Sequence, residues 1–475
     1  MTRLAFCGVH AIGRGVSSPV HLFIALLTVL GTSEGSSHEP ERRDLPPYEV
    51  VHPTRVDARG HFLSNFLSHH ARRVQRREAS EGPADADRVF YQLWHGGHSL
   101  HFNLTLNPHL LAPGFLTERR YGGLHGAQIR PAGSSRCYFF GEVWGEAVGQ
   151  GSAAISTCDG LTGLFKLSGE EFFIRPLEES SDDTSEPQSH AIYKRQAAPP
   201  PRSPVVQPVS GKQPLNGTCG ITNSRRGSED IERQRERWEQ RQQRRRKRIR
   251  QRSVSKEKWV ETLVVADAKM VEHHGSKAVE SYVLAVMNIV AGLYRDPSIG
   301  NAINIVVVRL ILLEQDEDDL KITHHADNSL SSFCKWQKKL NMKGEEHPLH
   351  HDVAVLLTRK DICAAANVPC ETLGLSHVAG IRGWGWCLDD VPVKDERSLD
   401  SVLPGVLYSS AHQCRLQYGS GSLLCDDMDN VCSTLWCTVG TTCHSKLDGA
   451  VDGTRCGEDK VRLPFHEHVN STQFI

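Results

Sequence analysis

The sequence lacks the pattern His-Glu-x-x-His. Among 25 histidines in 475 residues, none is followed by glutamate and then by a second histidine four places on. That pattern puts two imidazoles one helical turn apart, facing one zinc ion, with a carboxylate beside them to take a proton from metal-bound water. Its absence excludes that kind of peptide-hydrolysing centre. The nearest strings, His38-Glu39 and His466-Glu467-His468, fail on spacing, and Pro40 stands where the first would have to be helical; both read as exposed polar residues. Net charge is also missing. A formal charge of -1 with 23% charged residues gives no global pull toward nucleic acid or a membrane surface. Beyond the N-terminal 31 residues no apolar run approaches the length that crosses a bilayer, so no membrane span is expected.

Those first 31 residues carry Arg3 and Arg14, then Val20-His-Leu-Phe-Ile-Ala-Leu-Leu-Thr-Val-Leu30, then small and polar residues. The layout is that of a secretory leader, with a buried N-terminal helix as the alternative. Fourteen cysteines, crowded toward the C-terminus, fit disulfides made in an oxidising compartment. Three glycosylation sequons, at Asn103, Asn216 and Asn470, agree with a secreted chain.

Residues 32–176 form short runs in which apolar and polar residues alternate, at 48–51, 88–94, 100–106, 137–143, 164–167 and 171–174. Period two broken by Gly, Pro and Asn predicts an antiparallel β domain. Cys137 and Cys158 lie within it as a plausible pair. Residues 177–252 change character: an acidic Ser-rich stretch, a proline-rich stretch, and a run ending Arg244-Arg-Arg-Lys-Arg-Ile-Arg-Gln-Arg252. This composition cannot bury a core and predicts a disordered linker, with a helical segment around Trp238. The basic run suits nuclear targeting or polyanion binding in isolation; in a secreted chain it suits cleavage by a proprotein convertase after Arg248 or Arg252. Cys219, alone in this linker, could offer a thiolate to a zinc ion.

From Trp259 the pattern becomes α/β. Strands are expected at 259–267, 303–313 and 352–357, helices at 276–296 and 328–340, and a short edge strand at 373–378 to which an extended peptide could add. Alternation of this kind predicts a mostly parallel sheet flanked by helices. After Asp390 periodicity ends, and Cys414, Cys425, Cys432, Cys437, Cys443 and Cys456 predict a small disulfide-held module.

Several strings together resemble one family. Trp259-Val-Glu-Thr-Leu-Val-Val-Ala-Asp267, Lys321-Ile-Thr-His-His-Ala-Asp327, Phe333-Cys-Lys-Trp336, Glu371-Thr-Leu-Gly-Leu-Ser-His-Val-Ala-Gly380 and Leu435-Trp-Cys-Thr-Val-Gly-Thr-Thr-Cys443 are similar to the ADAMTS metalloproteinases, nearest to the seven-and-twelve subgroup. The resemblance implies a secreted zymogen. It would have a β-rich propeptide, a cysteine switch at Cys219, convertase processing at Arg248 or Arg252, and an α/β metzincin-like catalytic domain over 253–390. A disintegrin-like module would follow over 391–460, with an unrelated tail at 461–475. It further implies extracellular-matrix proteins as partners and zinc as the family's cofactor. Structural calcium would be held by Glu261, Asp352, the carbonyl of Cys387, and Asp390.

The departures are as informative. The family carries several dozen residues between its edge strand and the Gly-Trp-Gly-Trp-Cys segment, including the zinc ligands; here Ile381 joins Arg382 directly. The zinc histidines and catalytic glutamate have no counterpart, and a proteolytically inactive chain is expected. The alternatives are a non-catalytic secreted matrix-binding or competing module, or an incomplete gene model. The adjacent pairs His273-His274, His324-His325 and His350-His351 are expected to be surface or satisfied residues, because neighbours point in different directions. By the resemblance Cys363 and Cys370 close a short loop. Cys334 and Cys387 lose their partners unless they pair together, and two of the module's six cysteines lose theirs. Loss of the helix and lower subdomain that cover one side is expected to expose apolar surface on residues 253–390, and the unpaired cysteines to allow mixed disulfides, with poor folding or retention in the endoplasmic reticulum.

Overall fold

The computed structural model describes residues 3–8, 46–68, 87–131, 136–146, 148–177, 187–194, 257–296, 302–342, 347–363, 374–376, 403–419, 421–425, 431–446, 448–457, 460–462 and 469–470, with residues 299, 344 and 392. In chain order the strands are β1 (Arg3–Gly8), β2 (Glu49–Val51), β3 (Thr54–Val56), β4 (Phe62–Ser64), β5 (Arg88–His95), β6 (His98–Leu106), β7 (Leu111–Tyr121), β8 (Gln128–Pro131), β9 (Tyr138–Gly145), β10 (Gly149–Ser156), β11 (Thr162–Leu167), β12 (Glu170–Pro176), β13 (His190–Lys194), β14 (Lys258–Ala266), β15 (Ile303–Gln315), β16 (Val353–Thr358), β17 (Gly374–Ser376), β18 (Cys437–Val439), β19 (Thr442–His444), β20 (Arg455–Gly457), β21 (Lys460–Val461) and β22 (Val469–Asn470). The helices are α1 (Ala268–Tyr294), α2 (Ala326–Leu340), α3 (Pro404–Leu407) and α4 (Ser410–Tyr418).

The N-terminal alternation folds as an antiparallel sheet of ten strands, in the order β2-β13-β12-β11-β10-β9-β6-β5-β3-β4. One face buries Tyr91, Leu93, Leu100, Phe102, Leu104 and Phe165, the inward half of each period-two segment. Strand β13 corrects the sequence boundary: residues 190–194, expected in the linker, pair with both β12 and β2. The reason lies in His190-Ala-Ile-Tyr193, a short apolar run whose four residues are all buried. The expected helix around Trp238 lies outside the described residues.

The second half gives the α/β layer. β14 pairs in parallel with β15 and with β16. α1 covers one face of this sheet and α2 the other. Asp267 caps α1, its Oδ1 accepting from the Met270 N–H at 2.9 Å, while Oδ2 accepts from the Thr358 hydroxyl at 2.5 Å; the cap thus ties helix to strand. Within α1 only Gly275 leaves helical geometry, at a φ of 76° that a side chain rarely adopts. The helix has the length and hydropathy of a membrane span, but most of that stretch is buried inside this protein; it is a core helix.

Two placements could not be read from periodicity. Hairpin β7–β8 leaves the N-terminal sheet and joins the other, so that the seven-stranded order is β17-β1-β16-β14-β15-β7-β8. β7 runs parallel to β15, from Leu111 opposite Val307 to Tyr121 opposite Gln315. At the other side β1, inside the expected leader, lies antiparallel to β16 and parallel to β17; residues 20–30 lie outside the described residues. α1 is thereby sandwiched. Its Asn288 Nδ2 donates to the carbonyls of Phe139 (3.2 Å) and Ile155 (3.4 Å), and Ile289 and Leu293 pack on Leu164, Phe173 and Tyr193. Gly292 permits the approach, since a Cβ there would stand 2.8 Å from that of Ala154.

The sandwich removes the expected apolar exposure. Among the described residues of 258–376 no large hydrophobic side chain is exposed, because the N-terminal sheet and its hairpin cover α1 and the β15 edge. The C-terminal module also departs from expectation. Residues 410–418 are helical, and its six cysteines are all joined: Cys414–Cys437, Cys425–Cys443 and Cys432–Cys456. None is left without a partner, because the six can pair among themselves within short loops.

Candidate functional site

The expected ligand set is partly placed. Glu261 on β14 and Asp352 at the start of β16 lie side by side, 7% and 5% exposed. The Glu261 N–H donates to Asp352 Oδ2 at 3.0 Å, and the Asp352 N–H donates to the Glu261 carbonyl at 2.9 Å. Parallel pairing of β14 with β16 dictates this neighbourhood, since the ladder continues with Thr262 opposite Val353. Both residues carry the hard carboxylate oxygens that calcium takes; the Asp352 carboxylate accepts from the Glu261 backbone N–H, and buried acids of this kind ask for a cation or hydrogen-bond donors. The donor chemistry of Glu261 and Asp352 suits calcium, while the other two expected ligands, Cys387 and Asp390, lie outside the described residues.

Zinc is a different case. Among the described residues no group of three His, Cys, Asp or Glu side chains could hold a metal ion, and Cys219 lies outside them. The histidine pairs are engaged elsewhere. His274 stacks on Tyr282 with ring centroids 3.9 Å apart, and His324 Nδ1 contacts the Asp361 carbonyl at 2.9 Å. His325 caps α2 by accepting from the Asn328 N–H at 3.4 Å. His350 Nδ1 is 3.1 Å from the Met342 carbonyl, and His351 Nε2 is 3.0 Å from the Gln337 side-chain oxygen.

Cys137 and Cys158 are joined by a disulfide whose Cα atoms are 5.1 Å apart. Cys334 and Cys363 are both disulfide-bonded, so Cys334 is not a free thiol; Cys370 lies outside the described residues. Asn103 sits mid-strand between Phe90 of β5 and Glu142 of β9, on the face opposite Phe102 and Leu104. Asn216, Arg248 and Arg252 lie outside the described residues, and Asn470 belongs to β22. β17 occupies the edge of its sheet, where the sequence placed an edge strand.

The most elaborate polar site among the described residues was not anticipated. Glu118 and Arg120 on β7, Arg309 on β15, Glu317 after it, Trp336 on α2 and Tyr408 after α3 converge, each at most 5% exposed. Arg309 Nη2 donates to Glu118 Oε2 at 2.5 Å, and Arg120 Nε donates to Glu118 Oε1 at 2.5 Å. Arg120 Nη1 reaches Glu317 at 3.1 Å, and Trp336 Nε1 donates to the other Glu317 oxygen at 2.7 Å. The Tyr408 hydroxyl accepts from Arg120 Nη2 at 2.7 Å and donates to Glu118 at 2.9 Å. Both guanidinium groups also lie over the Tyr408 ring, at 5.6 and 5.0 Å. Burial raises the pKa of Glu118, but the charges of Arg120 and Arg309 outweigh it and hold the carboxyl below its usual range. Two acids and two arginines leave the cluster neutral, the condition under which buried charge is tolerated. A signal was available in the sequence: Arg309 stands inside the apolar run Ile303-Asn-Ile-Val-Val-Val-Arg-Leu-Ile-Leu-Leu313, and a cation there must have a buried partner. Its partner is distant in sequence, so the run alone did not name it.

Comparison with known proteins matches three separate stretches of the chain. A family model described as "Reprolysin family propeptide" matches residues 49–144, "Reprolysin (M12B) family zinc metalloprotease" matches 258–376, and "ADAMTS cysteine-rich domain 2" matches 404–462. The last covers the module expected to be disintegrin-like. The human protein "A disintegrin and metalloproteinase with thrombospondin motifs 7" is 51% identical over 87% of this chain and 28% of its own length. The mouse protein of the same description is 48% identical over 94% of this chain and 30% of its own. Mouse "A disintegrin and metalloproteinase with thrombospondin motifs 12" is 41% identical over 88% and 30%. The chain therefore spans less than a third of the length of these relatives.

Proposed function

Because this chain belongs to the ADAMTS family of metalloproteinases, we propose that it is a secreted zymogen-type member of a zinc endopeptidase family that acts on extracellular-matrix proteins, shortened so that it does not itself cut peptide bonds. The observation that carries this reading is the joint: 373–381 runs into 382–390 with no His-Glu-x-x-His anywhere in the sequence. In such a family, bound zinc activates the water that attacks the peptide bond. The described residues do not fit that ion, and no step of hydrolysis is assigned to them. The domain order is a leader over 1–31, whose removal would take β1 out of the seven-stranded sheet, and a propeptide that extends through Lys194. A linker with Cys219 and a convertase site at Arg248 or Arg252 comes next, then a shortened metzincin-like domain and the cysteine-rich module. Mass analysis of the new N-terminus after convertase treatment tests the site. Purified full chain is expected to hold no stoichiometric zinc and to show no chelator-sensitive hydrolysis of a broad-specificity peptide. Finding both would mean that other ligands rebuild the centre, and the inactive reading would fall.

Calcium bound at Glu261 and Asp352 would stabilise the β14–β16 junction. Calcium added to chelator-treated chain at a hundredfold excess over its Kd is expected to raise unfolding free energy by about 2.7 kcal/mol. Glu261→Gln with Asp352→Asn should abolish the increment. Identical thermal unfolding of the parent with and without calcium would count against the site.

A second reading is a non-catalytic matrix-binding or competing module. It is favoured by the edge position of β17, where an extended peptide can add, and by the complete disulfide set of the module. Binding to immobilised matrix protein that disappears on deletion of residues 391–460 supports it, and unchanged binding removes the module from it.

A further inference from the structure

We propose that the propeptide is a lasting subunit of this fold: once the linker is cut, the fragment ending in that linker stays docked on β15 through hairpin β7–β8, and its carboxylate Glu118 also holds the cysteine-rich module in place. The proposal rests on the reading of residues 195–252 as a processed linker. A cover that merely blocks a cleft would meet the catalytic domain at side chains. Here β7 is a strand of the catalytic sheet, paired in parallel with β15 from Val307 to Gln315. Departure of the hairpin would open that ladder and bare the β15 edge.

The buried cluster makes departure costlier still. Glu118 and Arg120 belong to the propeptide, Arg309, Glu317 and Trp336 to the catalytic domain, and Tyr408 to the module. Without the hairpin, the Arg309 guanidinium, 0% exposed, loses the carboxylate that neutralises it, and its Nε and Nη1 have no hydrogen-bond partner even with Glu118 present. Glu317 loses its arginine, and the Tyr408 hydroxyl loses both of its partners. Because one carboxylate bonds to Arg309 and to Tyr408, propeptide binding and module docking are coupled, and each strengthens the other. Removing one member of a buried, hydrogen-bonded charge group weakens association by roughly 10²–10³-fold.

The test uses the full chain with a foreign protease sequence placed among residues 195–252, one tag inserted after residue 31 and a different tag at the C-terminus, so that cutting does not depend on a convertase and leader removal does not strip the propeptide of its tag. After complete cutting, shown on a denaturing gel, the two fragments are expected to co-elute in gel filtration and to be captured together on either tag at nanomolar concentration. Glu118→Gln is expected to weaken the cut complex by ~10²-fold or more. Tyr408→Phe is expected to speed hydrogen exchange across residues 404–457 without releasing the propeptide. Separation of the parent fragments on cutting at neutral pH overturns the proposal, as does a Glu118→Gln pair that binds as tightly as the parent. Should Glu118→Gln not fold, the parent result decides alone. Failure of a convertase to cut the natural linker would refute the processing reading and leave the docking result standing.

Discussion

Arg309→Ala is expected to cost the protein about 3–5 kcal/mol of unfolding free energy, because it leaves Glu118 buried opposite a single arginine. Against the 5–15 kcal/mol that typically holds a domain together, such a loss sharply reduces the folded fraction. Urea denaturation of the purified full chain measures it. A companion variant separates lost charge balance from lost packing. Arg309→Met with Glu118→Leu removes both charges and keeps much of the volume, and should recover most of the loss, as apolar replacement of a buried ion pair commonly does. A double variant as weak as the single one would show that the arginine acts through shape rather than charge. The exposed pair Lys269–Glu272, at 2.6 Å but 56% and 68% exposed, provides the contrast; there, alanine at either position should leave the midpoint where it was.

Acidification from pH 7 to pH 5 is expected to destabilise the protein through buried histidines, among them His190 and His412; burial pushes His274 and His351 down further, to about 3. His190, fully buried, accepts from the Leu161 N–H at Nε2 (2.9 Å), and its Nδ1 faces the Gln188 carbonyl at 2.9 Å. The tautomer is therefore neutral, with the proton on Nδ1, and protonating Nε2 breaks the bond from Leu161. Burial pushes its pKa down to about 4, with His52 adding to the effect and the Gln188 carbonyl opposing it. His412, beside the Lys339 carbonyl at 3.1 Å, is likewise pushed down to about 4 by burial and then by Arg415. A histidine depressed in the folded state binds its proton more readily in the unfolded chain. Stability is thus present above the ordinary value near 6.5 and falls as pH drops from there toward the folded value. Each group contributes on the order of 1–2 kcal/mol by pH 5. Thermal unfolding across that window should show the slope, and His190→Gln should flatten part of it. A midpoint independent of pH between 7 and 5 would contradict the burial of both rings as charged-state obstacles.

Local pattern carried a large part of the fold. Period-two alternation at 88–94 and 100–106 became β5 and β6, and the apolar runs at 259–267, 303–313 and 352–357 became β14, β15 and β16 within a residue or two. Helical spacing placed α1 and α2, although α1 begins at Ala268, ahead of the expected start, because Asp267 caps it. These elements were legible because burial of one face imposes a period on the residues themselves. Strand β13 and helix α4 were hidden by their surroundings, one in a polar linker and the other in a cysteine-rich stretch without a strong apolar stripe.

The candidate site divides along the same line. The missing histidine pattern and the direct joint of Ile381 to Arg382 are facts of the sequence, as are the cysteine count and the basic run ending at Arg252. The sequence by itself thus determined the α/β alternation from Trp259 to Thr358, the family resemblance and the absence of the zinc-binding string. Only the tertiary structure decided that β7–β8 leaves its own sheet for another, that Glu118 and Arg120 meet Arg309, Glu317 and Tyr408, and that the six module cysteines satisfy one another. The physical reason is range: periodicity records which face of a residue's own element is buried. The partner that neutralises Arg309 lies 191 residues away, and long-range pairing is fixed by the sum of the packing around it rather than by the residues beside it.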